Sequence, residues 1–310
     1  MLFIDRLIDK IIETRNPVVV GLDTQLSFIP ERILRECRDE FGAGGATEAE
    51  AIFRFNKAII DRVCDIAPAV KPQSAFYETY GSYGAEALIK TVRYAHDSGM
   101  LVIVDGKRGD IGSTAEAYAN AYLGNNAEAY FADALTINPY IGYDCVEPFI
   151  RNCRKYDKGV FALVKTSNPS SGDFQDMELS GGKKAYEHIA DLVQEWGGAE
   201  GLMGSYGYSS VCAVVGATYP EQAKKLRERV KRLFFLVPGY GAQGGSAEDA
   251  AAAFDRAGLG AIVNSSRGVL QAWSHERWDG KYAQDDFADA ARAEVLRMKA
   301  EINKAIGANG

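Results

Sequence analysis

The 310-residue chain is 47% hydrophobic and 25% charged, the balance of a globular protein rather than of a disordered or membrane-embedded chain. Its formal net charge of −7 argues against nucleic acid or an anionic membrane as partner, and no run reaches the ~18 uncharged apolar residues that span a bilayer. Five cysteines without a CxxC pair suggest neither a disulfide framework nor a zinc site, and the charge-broken start MLFIDRLIDKII lacks the pattern of a signal peptide, so a reducing cytoplasm is expected.

In chain order, short apolar runs alternate with longer amphipathic stretches. VVVGLD (18–23) is followed by a long segment, 24–46, with a small helix expected near 30–40. A helical pattern over 47–66 leads to AVKPQ (69–73), and LVIVDGK (101–107) and ALTINPY (134–140) come next. VFALVKT (160–166) precedes a second long segment, 167–182, and CAVVGAT (212–218) follows a third, 196–210. A helix over 220–233, FFLVPG (234–239), AIVNSS (261–266) and a closing helix over 283–306 complete the chain. The runs are rich in Val, Ile, Leu and Phe and lack period-2 alternation, as strands buried on both faces do, hence parallel strands. Eight such strands alternating with helices predict an α/β fold, a single (β/α)₈ TIM barrel occupying residues 1–310 as one domain. Nearly every run ends in polar residues, which a barrel gathers on one face. The three long segments are expected there as lid and specificity loops.

The sharpest feature is VDGKRGD, a D-x-K-x-x-D pattern of Asp105, Lys107 and Asp110. Residues two apart on a strand share a side, so Asp105 and Lys107 are expected together at the mouth, beside Lys71 ending strand 2 and Asp23 ending strand 1. Charges converging there are costly to desolvate and point to function rather than stability. A lysine flanked by carboxylates keeps its proton and is a placed acid rather than a base. The three histidines, His96, His188 and His275, fall in or after helices and read as solvated or structural. No HExxH or G-x-S-x-G occurs, so acid–base work falls to Lys and Asp, with no metal or cofactor expected.

PGYGAQGGS (238–246) and NSSRGV (264–269) follow strands 7 and 8, where barrels commonly hold phosphate. Glycine N–H groups can approach phosphate oxygens there, Arg267 can add a charged contact, and Gln243 can reach over a ligand. Gly239, Gly241 and Gly244 also match G-x-G-x-x-G, but that fingerprint belongs to the first βα unit of a fold and needs a later acidic residue, so a dinucleotide is not favoured.

Taken together, GLDTQ (21–25), KPQSAFYE (71–78), VDGKRGDIGSTA (104–115), TINPYIG (136–142), VKTSNPS (164–170), VPGYGAQGG (237–245) and NSSRG (264–268) resemble the orotidine 5′-phosphate decarboxylases, in particular their longer bacterial-type subfamily. The resemblance implies orotidine 5′-monophosphate as substrate, UMP and CO₂ as products, and no cofactor or metal. It also implies roles. Lys107 would be the proton donor to C6, Asp105 would lie against the substrate carboxylate, and Lys71 and Asp23 would serve the ribose. Ser167 would read the pyrimidine, and Gln243 and Arg267, with Pro238, Gly244 and Ser266, would take the phosphate end. Asp110, with Ile111 and Thr114, would act in a neighbouring subunit's site, making a homodimer with composite sites. The alternatives are a Mg²⁺-dependent keto-sugar-phosphate decarboxylase on the same barrel and a non-catalytic nucleotide-binding protein. The first would need a metal carboxylate at the end of strand 2, where Lys71 stands and the nearest acid, Glu78, lies farther on.

Overall fold

The computed structural model describes residues 1–126, 128–241 and 243–307. Residues 308–310 of the expected 1–310 domain lie outside them. Eight parallel strands, β1 (Val18–Leu22), β2 (Ala69–Pro72), β3 (Leu101–Arg108), β4 (Ala134–Ile137), β5 (Gly159–Lys165), β6 (Val211–Val215), β7 (Phe235–Val237) and β8 (Ala261–Ser265), pair in sequence order and close as β8 bonds to β1. The helices around them, in chain order, are α1 (Phe3–Thr14), α2 (Glu31–Phe41), α3 (Gly45–Val63), α4 (Ala75–Glu78), α5 (Gly81–Asp97), α6 (Gly112–Leu123), α7 (Tyr143–Tyr156), α8 (Gly172–Gln175), α9 (Ala185–Gly197), α10 (Pro220–Arg229), α11 (Ala247–Ala251), α12 (Arg267–Leu270) and α13 (Phe287–Ala305). The expected (β/α)₈ barrel is the fold. The fourth run ends earlier than its apolar pattern suggested, because Pro139 starts a 3₁₀ turn over Pro139–Ile141 that Asn138 caps by accepting from the Tyr140 N–H.

Two apolar layers explain why the strands lack alternation. Val18, Val20, Val70, Val102 and Val104 face outward into the layer shared with the helices. Val19, Ala69, Leu101, Ile103 and Phe161 face inward and fill the barrel floor. Alternation is present, but both parities are apolar until the strand ends, where the inward positions turn polar.

The N-terminal segment, read from sequence only as not a signal, is α1. Its apolar residues Phe3, Ile4, Leu7, Ile8 and Ile11 recur at helical spacing on one buried stripe. That stripe plugs the lower end of the barrel, where Phe3 meets Phe161 edge-on at 6.2 Å between ring centroids. Gly159 admits this contact, since a Cβ there would fall 2.1 Å from the Phe3 ring. The plug also corrects one expectation. Segment 196–210 precedes β6 and lies against α1, not at the mouth: Ser205 N–H and Oγ donate to Asp5 Oδ1 at 2.8 and 3.0 Å, and Tyr206 donates to Asp9 at 2.6 Å. An αβ connection enters a strand at its N-terminal end, so length alone does not make it a lid. Among the described residues no helix is long and apolar enough to cross a membrane.

Candidate active site

The strand ends surround a cavity of about 500 Å³. Asp23, Lys71, Asp105 and Lys107 line one wall, Thr166, Ser167 and Asn168 another, and Pro238, Gln243, Ser266 and Arg267 the third. The inward parity of β1 and β2 delivers Asp23 and Lys71. Inward Gly21 leaves the room that Ser266 uses, since a Cβ there would sit 2.0 Å from the Ser266 hydroxyl.

Asp105 is the centre of the charged wall and is 8% exposed. Its Oδ2 accepts from Lys71 Nζ at 2.9 Å. Its Oδ1 accepts from Lys107 Nζ at 2.6 Å and from Thr136 Oγ1 at 2.8 Å. Burial would raise the Asp105 pKa, but the Lys71 and Lys107 ammonium groups outweigh it and hold the carboxyl far below the usual range. Lys71 is wholly buried. Desolvation opposes its charge, yet Asp105 and Asp23 prevail and its pKa is raised. Both ends of the pair are therefore ionised at neutral pH.

Lys107 differs from Lys71. Its side chain is 45% exposed and its head group stands at the cavity surface. Its backbone is left-handed, φ 45°, an unfavourable conformation for a side-chain-bearing residue. The β3–β4 register shifts between Val104 and Arg108, and the Lys107 N–H donates to Thr136 Oγ1 at 2.9 Å. Asp105 and Lys107 do come together as expected, but through this distortion rather than through plain alternation. Such local strain is characteristic of functional sites.

Two acceptors on the cavity are buried without a hydrogen bond among the described residues: Asp23 Oδ1 and Asn264 Oδ1. Lys71 Nζ is 3.7 Å from the first, an ion-pair distance but not a hydrogen bond. Buried acceptors left open cost about 1–3 kcal/mol each unless a ligand fills them. Hydroxyl donors of a polar ligand fit both.

At the opposite wall, Arg267 is exposed and has no carboxylate partner among the described residues. The loop after β7 is ordered by its own backbone: Gly241 N–H donates to Gly245 O at 2.8 Å, Gly244 N–H to Gly241 O at 2.8 Å and Gly245 N–H to Gly239 O at 3.1 Å. Ser246 and Asp249 fasten its end through a reciprocal cap. The N–H groups of Gly241, Gly244 and Gly245 are thus engaged within the loop. Gly244 does not line the cavity, while Gln243 does.

Asp110, Ile111 and Thr114 also lie away from the cavity wall. Asp110 is half-buried and accepts from the Ile111 N–H, and Ile111 and Thr114 are exposed. Glu78 likewise does not line the cavity; it pairs with Arg108, which also donates to Tyr122 at 2.9 Å. Among histidines, His96 contacts Asp133 at 2.8 Å at the far end of the barrel, in line with a structural role.

Sequence reasoning gave no role to Thr136, Asn264, Gln73 and Tyr240, nor to the strand-end residues Ser265 and Asn168, all on the cavity. A signal was present for the first two: each is a polar residue inside an apolar strand run, ALTI and AIVNS, in positions that only function or a partner explains.

Residues 17–277 match the family model described as orotidine 5′-phosphate decarboxylase / HUMPS family. The chain is similar to the orotidine 5′-phosphate decarboxylase of Rhodopirellula baltica, 42% identical over 97% of this chain and 99% of that one. It is similar to the enzyme of the same name from Caldicellulosiruptor bescii, 40% identical over 98% and 99%. Among solved structures it is similar to the OMP decarboxylase of Leishmania donovani, with a TM-score of 0.76 and 30% identity over 99% of this chain and 100% of that one.

Proposed function

The chain belongs to the orotidine 5′-phosphate decarboxylase family, and from that premise we propose that its barrel mouth converts orotidine 5′-monophosphate to UMP and CO₂ without a metal, with Lys107 as the proton donor. The observation that carries this reading is the ion chain Lys71–Asp105–Lys107 on one cavity wall, with Arg267 lining another and lacking a carboxylate partner.

Breaking the C6–carboxylate bond leaves an electron pair in the ring plane, which the π system cannot delocalise. The pair is met by the Lys107 ammonium, whose proton passes to C6 as CO₂ leaves, and the neutral amine regains a proton from solvent through its exposed side. Asp105, held ionised by two lysines, lies against the substrate carboxylate and orients the Lys107 head group through their 2.6 Å bond. Asp23 and Lys71 take ribose hydroxyls, the open Asp23 Oδ1 being the acceptor. Ser167 reads the pyrimidine, and Gln243, Ser266 and Arg267 hold the phosphate, with Pro238 beside them. Preorganised charge is usually the largest catalytic contribution. A hard decarboxylation calls for acceleration toward the upper end of the enzymatic range, of order 10¹⁷ or ~23 kcal/mol. Two side chains do not supply that, so phosphate binding far from C6 must contribute through closure and desolvation.

Asp110, with Ile111 and Thr114, completes the site of a second copy in a homodimer; their exposure away from this chain's own cavity supports that assignment. The 310 residues are read as one domain working in the cytoplasm.

The test is ultraviolet-monitored turnover of orotidine 5′-monophosphate in excess EDTA. Loss of the orotate chromophore with UMP as product is expected. No turnover by folded protein, with activity on keto-sugar phosphates after adding Mg²⁺, overturns the reading. For the dimer, mixing inactive Lys107→Ala and Asp110→Ala chains is expected to restore activity in the hybrid; no recovery after verified exchange removes Asp110 from the partner's site.

A further inference from the structure

Lys165 ends β5, where a catalytic residue could stand, yet it does not line the cavity. The β5–β6 register shifts between Leu163 and Lys165. Leu163 stays on the cavity, while Lys165 turns behind the wall and is fully buried. Its ammonium donates to both carboxylate oxygens of Asp176, at 3.0 and 3.1 Å. It lies 4.6 Å from the centre of the Tyr219 ring and 5.7 Å from that of Tyr186. A buried ammonium is tolerated only when paired, and such a pair chooses one conformation of whatever carries its partner.

The partner is carried by the long loop that follows β5. Asp176 directly follows α8, and its neighbour Gln175 bonds back to the start of the loop: Gln175 Oε1 accepts from the Thr166 N–H at 3.0 Å and Nε2 donates to Thr166 Oγ1 at 2.8 Å. Gln222 of α10 donates to Asp176 at 3.2 Å. From the far side, Thr218 donates to the Ser167 carbonyl at 3.1 Å and Tyr219 to the Asn168 carbonyl at 3.3 Å. Residues 166–168, caught between these contacts, are the part of the loop that lines the cavity.

We propose that Lys165 and Asp176 form a clamp that positions residues 166–168 for contact with the pyrimidine base. This rests on the reading that the cavity takes a pyrimidine nucleotide with Ser167 on the ring. Neither clamp residue touches substrate; both act through the backbone that carries Ser167. The clamp is asymmetric, since Lys165 is wholly buried and Asp176 is 35% exposed. Removing Asp176 strands a buried charge, whereas removing Lys165 leaves a carboxylate that water can reach.

The experiment compares Lys165→Met, Asp176→Leu and the double variant by calorimetric binding of UMP and of ribose 5-phosphate, which lacks the base. Lys165→Met is expected to weaken UMP by ~10-fold and ribose 5-phosphate by less than about twofold, since small misplacements of a contacting group are costly. Asp176→Leu is expected to be worse than Lys165→Met, and the double variant to recover part of the difference. Equal loss for both ligands, or for neither, overturns the clamp. Hydrogen exchange of the unliganded proteins is the second measurement. Faster exchange confined to 166–176 is expected in Lys165→Met, and unchanged exchange there overturns the clamp whatever the cavity binds. A wild-type protein that binds ribose 5-phosphate but neither binds UMP nor decarboxylates its precursor overturns the pyrimidine reading instead and with it the clamp's stated purpose.

Discussion

Both ends of this barrel bury charge, and they do it differently. At the lower end, Arg227 is 8% exposed and donates to three carbonyls, those of Ala253, Leu233 and Gly260, at 2.8, 2.8 and 2.6 Å, with its guanidinium 3.8 Å from the Phe235 ring centre. Asp133 there accepts from Arg6, from His96 and from the Val102 N–H, all within 2.9 Å. At the mouth, the ion chain is equally tight around Asp105, but Asp23 and Asn264 each keep a buried acceptor open and Arg267 has no carboxylate partner among the described residues. A buried charge whose bonds are all made holds the fold together. A buried charge beside open acceptors on a cavity waits for a ligand. Burial alone does not separate Arg227 and Asp133 from Asp23 and Asn264; the hydrogen bonds they make do.

Four substitutions sharpen or break that comparison. Lys107→Ala is expected to lower decarboxylation by more than ~10³-fold while the thermal midpoint stays near that of the wild type, because its side chain is half exposed. Steady-state rates and a melting curve decide it, and appreciable turnover removes the proton-donor role. Arg227→Met is expected to do the reverse. It leaves the Ala253 and Leu233 carbonyls without this donor, while the Gly260 carbonyl keeps the Phe235 N–H at 2.8 Å, and should cost on the order of 3 kcal/mol in urea unfolding, with the rate per folded molecule preserved. Arg267→Ala is expected to lower kcat/KM by ~10²-fold for orotidine 5′-monophosphate, the size of one lost charged contact, and to leave orotidine, which has no phosphate, unaffected. Equal losses on both would move Arg267 out of the phosphate end.

The smallest effect concerns acid. Burial opposes the Asp133 charge, but His96 and Arg6 prevail and lower its pKa to about 2. A carboxyl whose folded pKa is depressed stabilises the fold fully above its unfolded value of ~3.9, and the stabilisation is lost as pH falls through the folded pKa. Asp133→Asn is therefore expected to lower stability at neutral pH by roughly 1–2 kcal/mol and to flatten the stability curve between pH ~4 and ~2. An unchanged slope in that window would mean that the lower-end charges do not hold the fold as described. Activity at neutral pH is expected to be unaffected.

The legible parts of the molecule were those written locally. Each strand is buried on both faces, so its whole run is apolar, and it ends where polar residues begin; that made eight strands and their order readable. The same stops marked Asp23, Lys71, Asp105 and Lys107, and the loops after strands 7 and 8 marked Gln243 and Arg267. The helical spacing of Phe3, Ile4, Leu7, Ile8 and Ile11 is equally local, but nothing in it says that the helix enters a barrel.

Closure of the barrel decided the rest. It set Lys71 and Lys107 on opposite oxygens of one carboxylate, brought Thr136 from the next strand onto the oxygen that Lys107 holds, and left Asp23 Oδ1 without a bond. It placed segment 196–210 under the barrel and turned Lys165 behind the cavity wall. The physical reason is common to all of these. A single sequence carries the periodicity and the end of each strand, but the stagger between neighbouring strands, the local shifts of register and the choice of barrel end depend on residues far apart in the chain, and only their packing fixes them.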